Sequence, residues 1–595
     1  MFRTTEHPGV VARVGVVAVA WGLALAGQTL TAQADEVQTV SPGTTIAFVN
    51  VHTIPMTDDR VHPEQVVLVR RDRIVAAGSR HQIPVPQGSV VIDGRGRYLV
   101  PGLTDAHVHL DGDGTRRGTS RSGFGDGPLY LAHGVTTVFN ERGLPIHLEW
   151  RDQVKAGALV GPTIYTAGEF VNEPRVHTPE DVEREIRAQK AAGYDFIKFH
   201  EVYTRETGFL TTEGLLPETY ARMNEVAREL NMPLVGHAPV NLGLDPLLSE
   251  GQTLAHVGAL SHVYFLPMFG NVAWLALTAV SLAALTIIAI TNGLRAIVNR
   301  GKVTGRLPRS VSRVRELAGM QLLAAAVAGA SAILFLPGGP WFESGTLRIV
   351  FTVTIVLLAI ATVAIVFTTV RIWSEPETST PARVQAAIAS VAGIGLAWAT
   401  LAFWVPVVWR SSEGGIEHVA TRVAEAGISV QTTLVAYDAI GGPGRRLLVT
   451  DPAIEYLHPD VQRRWRRLRA AAPRLRYTDF MKTVTGALHR AGVPLIAGTD
   501  AMGYPLVTPG SSLHRELELL VESGLTPYDA LYAATVAPAR FIHQTLEFGR
   551  IVAGRRADLL LVEGNPLENL NLVADPGNFV VIMKDGKVYK DTLSP

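Results

Sequence analysis

Between residues 103 and 500, short apolar runs of strand length alternate with stretches whose apolar residues recur at helical spacing. The strand-length runs lie at 103–110, 135–140, 163–167, 196–200, 234–238, 253–257, 429–434 and 495–500. Between them are amphipathic segments such as "TPEDVEREIRAQKAAG", where Thr178 is placed to cap a helix. Eight β/α units in series predict an α/β fold, a (β/α)8 TIM barrel. On either side of the barrel, "TIAFVNVHTI", "QVVLVRRDRIVAAGS", "GRIVAGRRADLLLVEG" and "FVVIMKDGKVYK" alternate like antiparallel strands. They predict one small β-sandwich built from both chain ends, residues 44–99 and 541–595. The barrel is then left with residues 100–270 and 411–540.

A different pattern interrupts the sixth and seventh units. Four apolar runs, 272–294, 317–337, 349–373 and 384–409, each approach or exceed the ~20 residues that a helix needs to cross a bilayer. Trp274, Trp341, Trp373, Trp404 and Trp409 lie near their ends, as interfacial anchors do. The pattern predicts an inserted bundle of four transmembrane helices over residues 271–410. Arg295, Arg300, Lys302, Arg306, Arg309, Arg313 and Arg315 occupy the first linker, which the positive-inside rule places in the cytoplasm. At the N-terminus, Arg3 and Arg13 precede "VGVVAVAWGLALAG" and the small-residue step "TAQA", so residues 1–34 read as a signal peptide. Both signals predict a multi-pass protein of the cell membrane with its barrel on the periplasmic or extracellular side.

Composition narrows the chemistry. Lys+Arg and Asp+Glu are both 54, so no global charge points to nucleic acid. There is no cysteine, which excludes disulfides and thiolate metal sites. Any metal must be held by histidine, carboxylate or a modified lysine. The strand ends offer these groups. "VPGLTDAHVHL" carries His107 and His109 two apart, which puts both imidazoles on one face of a strand. Lys198 lies among apolar neighbours in "DFIKFH", His237 ends "PLVGHA", His256 ends "TLAHVG", and Asp500 ends "PLIAGTDA". In a TIM barrel this is the face that carries active sites.

The ordered set "PGLTDAHVHL", "GYDFIKF", "VGHA", "LAHVG", "AGTDA" and "GRIVAGRRADLLLVEGNPL" resembles the amidohydrolase superfamily of metal-dependent hydrolases, most closely its imidazolonepropionase- and prolidase-like branch. The resemblance covers nearly all of residues 44–270 and 411–595 and none of the apolar runs. It implies two divalent metal ions, zinc first among the candidates. His107, His109 and Asp500 would hold one ion, His237 and His256 the second, and carboxylated Lys198 would bridge them. An apolar strand disfavours a charged lysine, which suits the neutral amine that takes up CO2. Two such ions generate hydroxide from a shared water at neutral pH. Asp500 would be the catalytic residue, taking the proton and passing it to the leaving amine. One departure stands out: relatives often follow "GVTTV" with Arg-Asp, whereas this chain has Phe139 and Asn140, which points to altered surroundings rather than altered metal binding. His200 and His514 fall outside the motif and read as supporting residues.

The implied function is hydrolysis of a C–N bond in a small amide, dipeptide or cyclic amide, with the bilayer as the other partner. Two alternatives stay open: a mononuclear deaminase of the same superfamily, and a membrane sensor or transporter with a non-catalytic hydrolase-like domain. The insertion follows the sixth strand on the active-site face, and "VQRRWRRLR" in the next unit places Trp465 among arginines. Two readings stay open: an amphipathic substrate that arrives from the membrane side with Trp465 at the headgroups, or a simple tether in which this run is a solvated basic helix and the substrates are soluble peptides.

Overall fold

A computed structural model describes residues 43–110, 124–172, 175–200, 202–203, 210–211, 215–265, 272–298, 309–335, 345–468 and 477–593. The expected signal peptide and the linker residues Arg300, Lys302 and Arg306 lie outside them.

Both chain ends meet in one hydrogen-bonded sheet. From the N-terminal side come β1 (Thr45–Thr53), β2 (His62–Arg70), β3 (Arg73–Ser79), β4 (Val90–Asp93) and β5 (Tyr98–Pro101). Next in sequence are β6 (Leu103–Val108), β7 (Val135–Asn140), β8 (Thr163–Thr166) and β9 (Ile197–Phe199), the short hairpin β10 (Val202–Tyr203) and β11 (Leu210–Thr211), then β12 (Leu234–Gly236), β13 (Thr253–Ala255), β14 (Val430–Gln431) and β15 (Leu495–Ile496). The chain closes with β16 (Leu559–Val562), β17 (Phe579–Lys584) and β18 (Lys587–Asp591). The terminal sheet runs β18-β17-β16-β5-β1-β2-β3, with β4 also on β1. The sequence pattern predicts two facing layers. The observed pairing is continuous, because β16 pairs antiparallel with β5 and joins the C-terminal strands to the N-terminal ones.

All eight central strands occur, each at or within its expected run. They form a parallel sheet β6-β7-β8 and a second parallel sheet β9-β12-β13-β14-β15. Parallel bridges Ala167–Phe196 and Val108–Ala501 link the two sheets at both ends, and Ala106 N donates to Ala497 O at 3.0 Å. Their side chains are almost wholly buried, as expected of parallel strands covered on both faces. The helix Pro179–Ala192 shows how sequence sets the connections. Thr178 Oγ1 accepts from Asp181 N, the Asp181 carboxylate accepts from Thr178 N, and Gly193 (φ 89°) ends the helix in the left-handed region.

The insertion leaves shortly after β13 as helices Val272–Val298, Arg309–Phe335, Gly345–Ser374 and Thr380–Ala399, the last continuing through Thr400–Trp404 into Val405–Arg410. The first packs on the fourth, and the third on both the second and the fourth. Leu285, Leu358, Ile365 and Leu396 fill the interior. The four apolar runs expected from the sequence fall on these four helices. Among the described residues two helices, Arg348–Ser374 and Thr380–Arg410, are long and apolar enough to cross a membrane, and Ala276–Thr291 is a shorter apolar stretch. The helix Arg309–Phe335 begins before the second run and carries Arg313, Arg315, Glu316 and Gln321 in its first half. On its return the insert is pinned to the turn Ser261–Phe265. Arg410 donates to Tyr264 O at 3.1 Å and lies over the Tyr264 ring, and Tyr264 Oη donates to Gly415 O.

Candidate active site

The residues singled out in the sequence converge at the C-terminal ends of the central strands. His107 on β6 and His109 just past it are buried, as are Lys198 on β9 and Asp500 beyond β15; His237 after β12 and His256 after β13 are partly exposed. His109 Nε2 lies 2.9 Å from Asp500 Oδ1. His107 Nε2 lies 3.9 Å from the same oxygen, and His256 Nε2 lies 3.9 Å from Asp500 Oδ2. The His107 and His256 rings are 4.5 Å apart between centroids, and those of His237 and His256 4.7 Å. His107, His256 and Asp500 each offer a ligand atom within 4.8 Å of the others.

The backbone at these positions is unusual. His256 (φ 66°), Asp500 (φ 61°) and Thr433 (φ 47°) all occupy the left-handed region, which β-branched Thr in particular avoids. Strain of this kind, held by the surrounding fold, clusters at functional sites. At Gly503 a side chain would fall on the Asp500 carboxylate and the His109 ring, so only glycine leaves room for them.

A hydrogen-bond chain orients the imidazoles. Gln431 Nε2 donates to Ala106 O and to Glu141 Oε1, both at 2.8 Å, so its Oε1 faces His107 Nδ1 at 2.9 Å. His107 therefore carries its proton on Nδ1, and its Nε2 lone pair points toward Asp500. Thr433 Oγ1 lies 2.7 Å from His256 Nδ1 and orients that ring. Burial holds His107 and His256 well below the ordinary histidine range, with Lys198 next in effect for the first and His237 for the second. Burial also pushes Asp500 up, but the adjoining His109, with His256 and Lys198, outweighs it, and the carboxyl ends below its ordinary value.

These donors suit a divalent cation. His107 Nε2 and Asp500 Oδ1 are buried without a hydrogen-bond partner, although imidazole and carboxylate crowd together. Acceptors that converge without protons between them are what a metal ion satisfies. Lys198 Nζ donates to Glu141 Oε2 at 2.5 Å, and both groups are fully buried.

Sequence reasoning missed Glu141, Gln431 and Thr433. The signal was there: polar residues at the ends of "TTVFNERG" and "SVQTTL" match the positions of the histidines on their own strands. Phe139 joins an aromatic cluster with Tyr165, Phe196 and Phe541, and Asn140 braces the strand end by accepting from Leu110 N and donating to Arg142 O. His200 stacks between Phe170 and His237, while His514 bonds Ala574 O and His133 O beneath the other end of the fold. Trp465 is corrected: it is buried in the core, not presented at a surface. A cavity of ≈ 460 Å³ opens at the N-terminal strand ends, lined by Arg228, Gln252, Tyr532 and Arg540, away from this cluster.

The amidohydrolase family model matches residues 456–589. Ochratoxinase from Aspergillus niger is 33% identical over 132 residues, 22% of this chain and 25% of that protein. Imidazolonepropionase from Idiomarina loihiensis is 34% identical over 70 residues, 11% of this chain and 17% of that protein. The chain thus spans about a quarter or less of the length of these curated relatives. Among solved structures, a bottromycin amidohydrolase superposes with a TM-score of 0.52 at 18% identity, covering 92% of this chain and 87% of that one. A prolidase complexed with N-methylphosphonate-L-proline gives 0.51 at 16% identity, covering 92% and 100%. At such identities the superpositions show a shared α/β fold, and together with the family match they support the amidohydrolase superfamily.

Proposed function

We propose that this chain is a membrane-anchored, metal-dependent hydrolase of C–N bonds in small amides or peptides, with its eight central strands closed into a (β/α)8 barrel. The observation that carries the reading is the convergence of ligand atoms of His107, His256 and Asp500 within 4.8 Å of one another at matching strand ends. His107, His109 and Asp500 would hold one divalent ion, and His237 and His256 a second, with carboxylated Lys198 between them. When bound, such ions acidify a water and polarise the scissile carbonyl. Asp500 takes the proton of the attacking water and delivers it to the departing nitrogen. Gln431 keeps His107 in the tautomer that leaves Nε2 free, and Thr433 orients the His256 ring. Glu141 accepts from Lys198 Nζ–H, a bond that survives carboxylation because a carbamate nitrogen keeps one proton.

One observation favours a second reading, a mononuclear deaminase. Lys198 is held by Glu141, and the tightest donor cluster is His107, His256 and Asp500. Metal analysis with a hydrolysis screen separates the two. Two ions per chain, a mass increase of one CO2 on Lys198, and turnover of dipeptides or N-acyl amino acids are expected. One tightly bound ion in fully active protein, with ammonia as product, establishes the deaminase instead.

For the insert, the two long apolar helices and the exposed Val, Ile and Phe residues on them support a bilayer anchor. We place the barrel outside the cytoplasm on the linker arginines and the N-terminal segment. A reporter fused at Gly414 that is active only in the cytoplasm overturns that placement.

A further inference from the structure

Beside the proposed metal set, a ladder of rings leads away from His237. Its imidazole lies 4.0 Å from that of His200, which stacks on Phe170 at 4.6 Å with an interplanar angle of 19°. The Arg142 guanidinium lies over the other end of this ladder, 5.6 Å from the Phe170 centroid. Arg142 directly follows Glu141, so its backbone belongs to the same strand end that reaches Lys198. Its carbonyl is fastened by Asn140 Nδ2 at 2.9 Å, and Gly143 N is tied to Gly168 O at 3.0 Å, which fixes the loop from which the side chain extends.

The charge balance along this wall is uneven. Arg175, which also reaches the Phe170 backbone, pairs with Glu185 at 2.7 Å and Glu169 at 3.5 Å. Arg142 is half-buried, yet among the described residues no carboxylate approaches it. A half-buried guanidinium has lost part of its water, and the aromatic face beneath it replaces only part of that loss. Its five N–H groups form a planar fork matched to a carboxylate.

We propose that Arg142 is a specificity-determining residue that binds the terminal carboxylate of a short peptide or N-acyl peptide, with the apolar part of the substrate along the partly exposed edges of Phe170 and His200. This rests on the reading of the metal-ligand set as a C–N hydrolase, and it names the substrate class: amides that carry a free acid away from the scissile bond. Three contacts separate Arg142 from His237, so the anion is held at a distance from the reacting carbonyl. A neutral cyclic amide leaves the guanidinium without a partner.

The test compares N-acetyl-Ala-Phe as the free acid and as the C-terminal carboxamide. Binding is measured calorimetrically in an Asp500→Asn background, where turnover is suppressed, and KM for both is measured in the parent protein. The acid is expected to bind about 10-fold tighter or more than the carboxamide, the scale of a charge-assisted bidentate contact. In Arg142→Ala that ratio falls to about one, and Arg142→Lys, which keeps charge without the fork, gives an intermediate ratio. The lysine variant carries the test if the alanine variant does not fold. Equal binding of acid and carboxamide in the parent, or a ratio that Arg142 substitutions leave unchanged, overturns the proposal. Because binding is read apart from turnover, absence of hydrolysis in the parent counts against the hydrolase reading alone.

Discussion

The inserted helices and the central strands distribute polarity in opposite ways. On the helix Gly345–Ser374, Ile360, Val363 and Phe367 face outward at 60–72% exposure, while Thr362 is buried and accepts from Gln321 Nε2 at 2.6 Å. Thr369 and Ser390 bond to each other inside the same bundle. In the strand-built part, Phe196, Val235, Ala255 and Ile496 form a dry interior. Buried ionisable residues such as His109 and Asp500 follow the strand ends, and Glu516 is braced there by Thr432 and Val435 N. A chain in water hides apolar surface, whereas a helix in lipid has nothing to gain by doing so and hides its polar groups instead. One polypeptide therefore carries two patterns of burial, each with its own polar exceptions. In the insert the exceptions are interhelical hydrogen bonds; in the strands they are the histidines and Asp500.

The sharpest way to break this contrast is to remove the polar exceptions from the strand ends. His107→Ala and Lys198→Ala are each expected to lower hydrolysis by about a thousandfold or more, because both act on where charge develops. Plasma emission spectrometry should show metal lost in step with rate. Loss of rate with full metal content removes these residues from the ligand set.

Next comes the outer face of the insert. Val363→Lys replaces an outward side chain, a change worth within ~0.5 kcal/mol on a protein surface in water. Mid-span in a bilayer it costs about 3 kcal/mol. Expression in the membrane fraction and thermal stability in detergent should both fall. An unchanged protein means that this face meets water.

A smaller effect is expected from the brace rather than the ligand. Gln431→Ala frees the His107 tautomer and leaves Glu141 without one donor. Metal affinity should drop about 10- to 100-fold, measured by competition with a chelator.

The least effect concerns pH. Burial pushes Glu516 up to about 7 from 4.5, and Asp105 up to about 7 from 3.8. A carboxyl raised in the folded state keeps its proton there while the unfolded chain has lost it. Stability therefore falls as pH rises from about 4.5 toward 7 and levels off above. Glu516→Gln should flatten this slope in urea titrations at pH 5 and pH 8 and leave the portion due to Asp105. A slope unaltered by Glu516→Gln shows that Glu516 is ionised in the folded protein.

The order of elements was legible in the amino-acid sequence because it is written in local periodicity. All eight central strands, the capped helix after Thr178 and the inserted apolar runs follow from side-chain spacing and from which residues cap or break a helix. The candidate ligands were legible for a related reason. A polar residue that ends an apolar strand has no packing role to explain it, and His109, His237, His256 and Asp500 stand in such positions, while His107 and Lys198 are polar residues within apolar strands. Tertiary structure alone decided what depends on which strand ends become neighbours. Glu141 and Gln431 are 290 residues apart, and only the parallel order of the sheets brings them to one hydrogen bond and through it to His107 and Lys198. The join of the terminal strands through β16 and β5 has the same cause. Burial of Trp465 does too: a basic helix with one aromatic reads alike on a membrane and on a core, and packing alone chose the core. Periodicity is a property of neighbours in sequence; registration between distant strands is a property of the folded chain, which no window of the sequence contains.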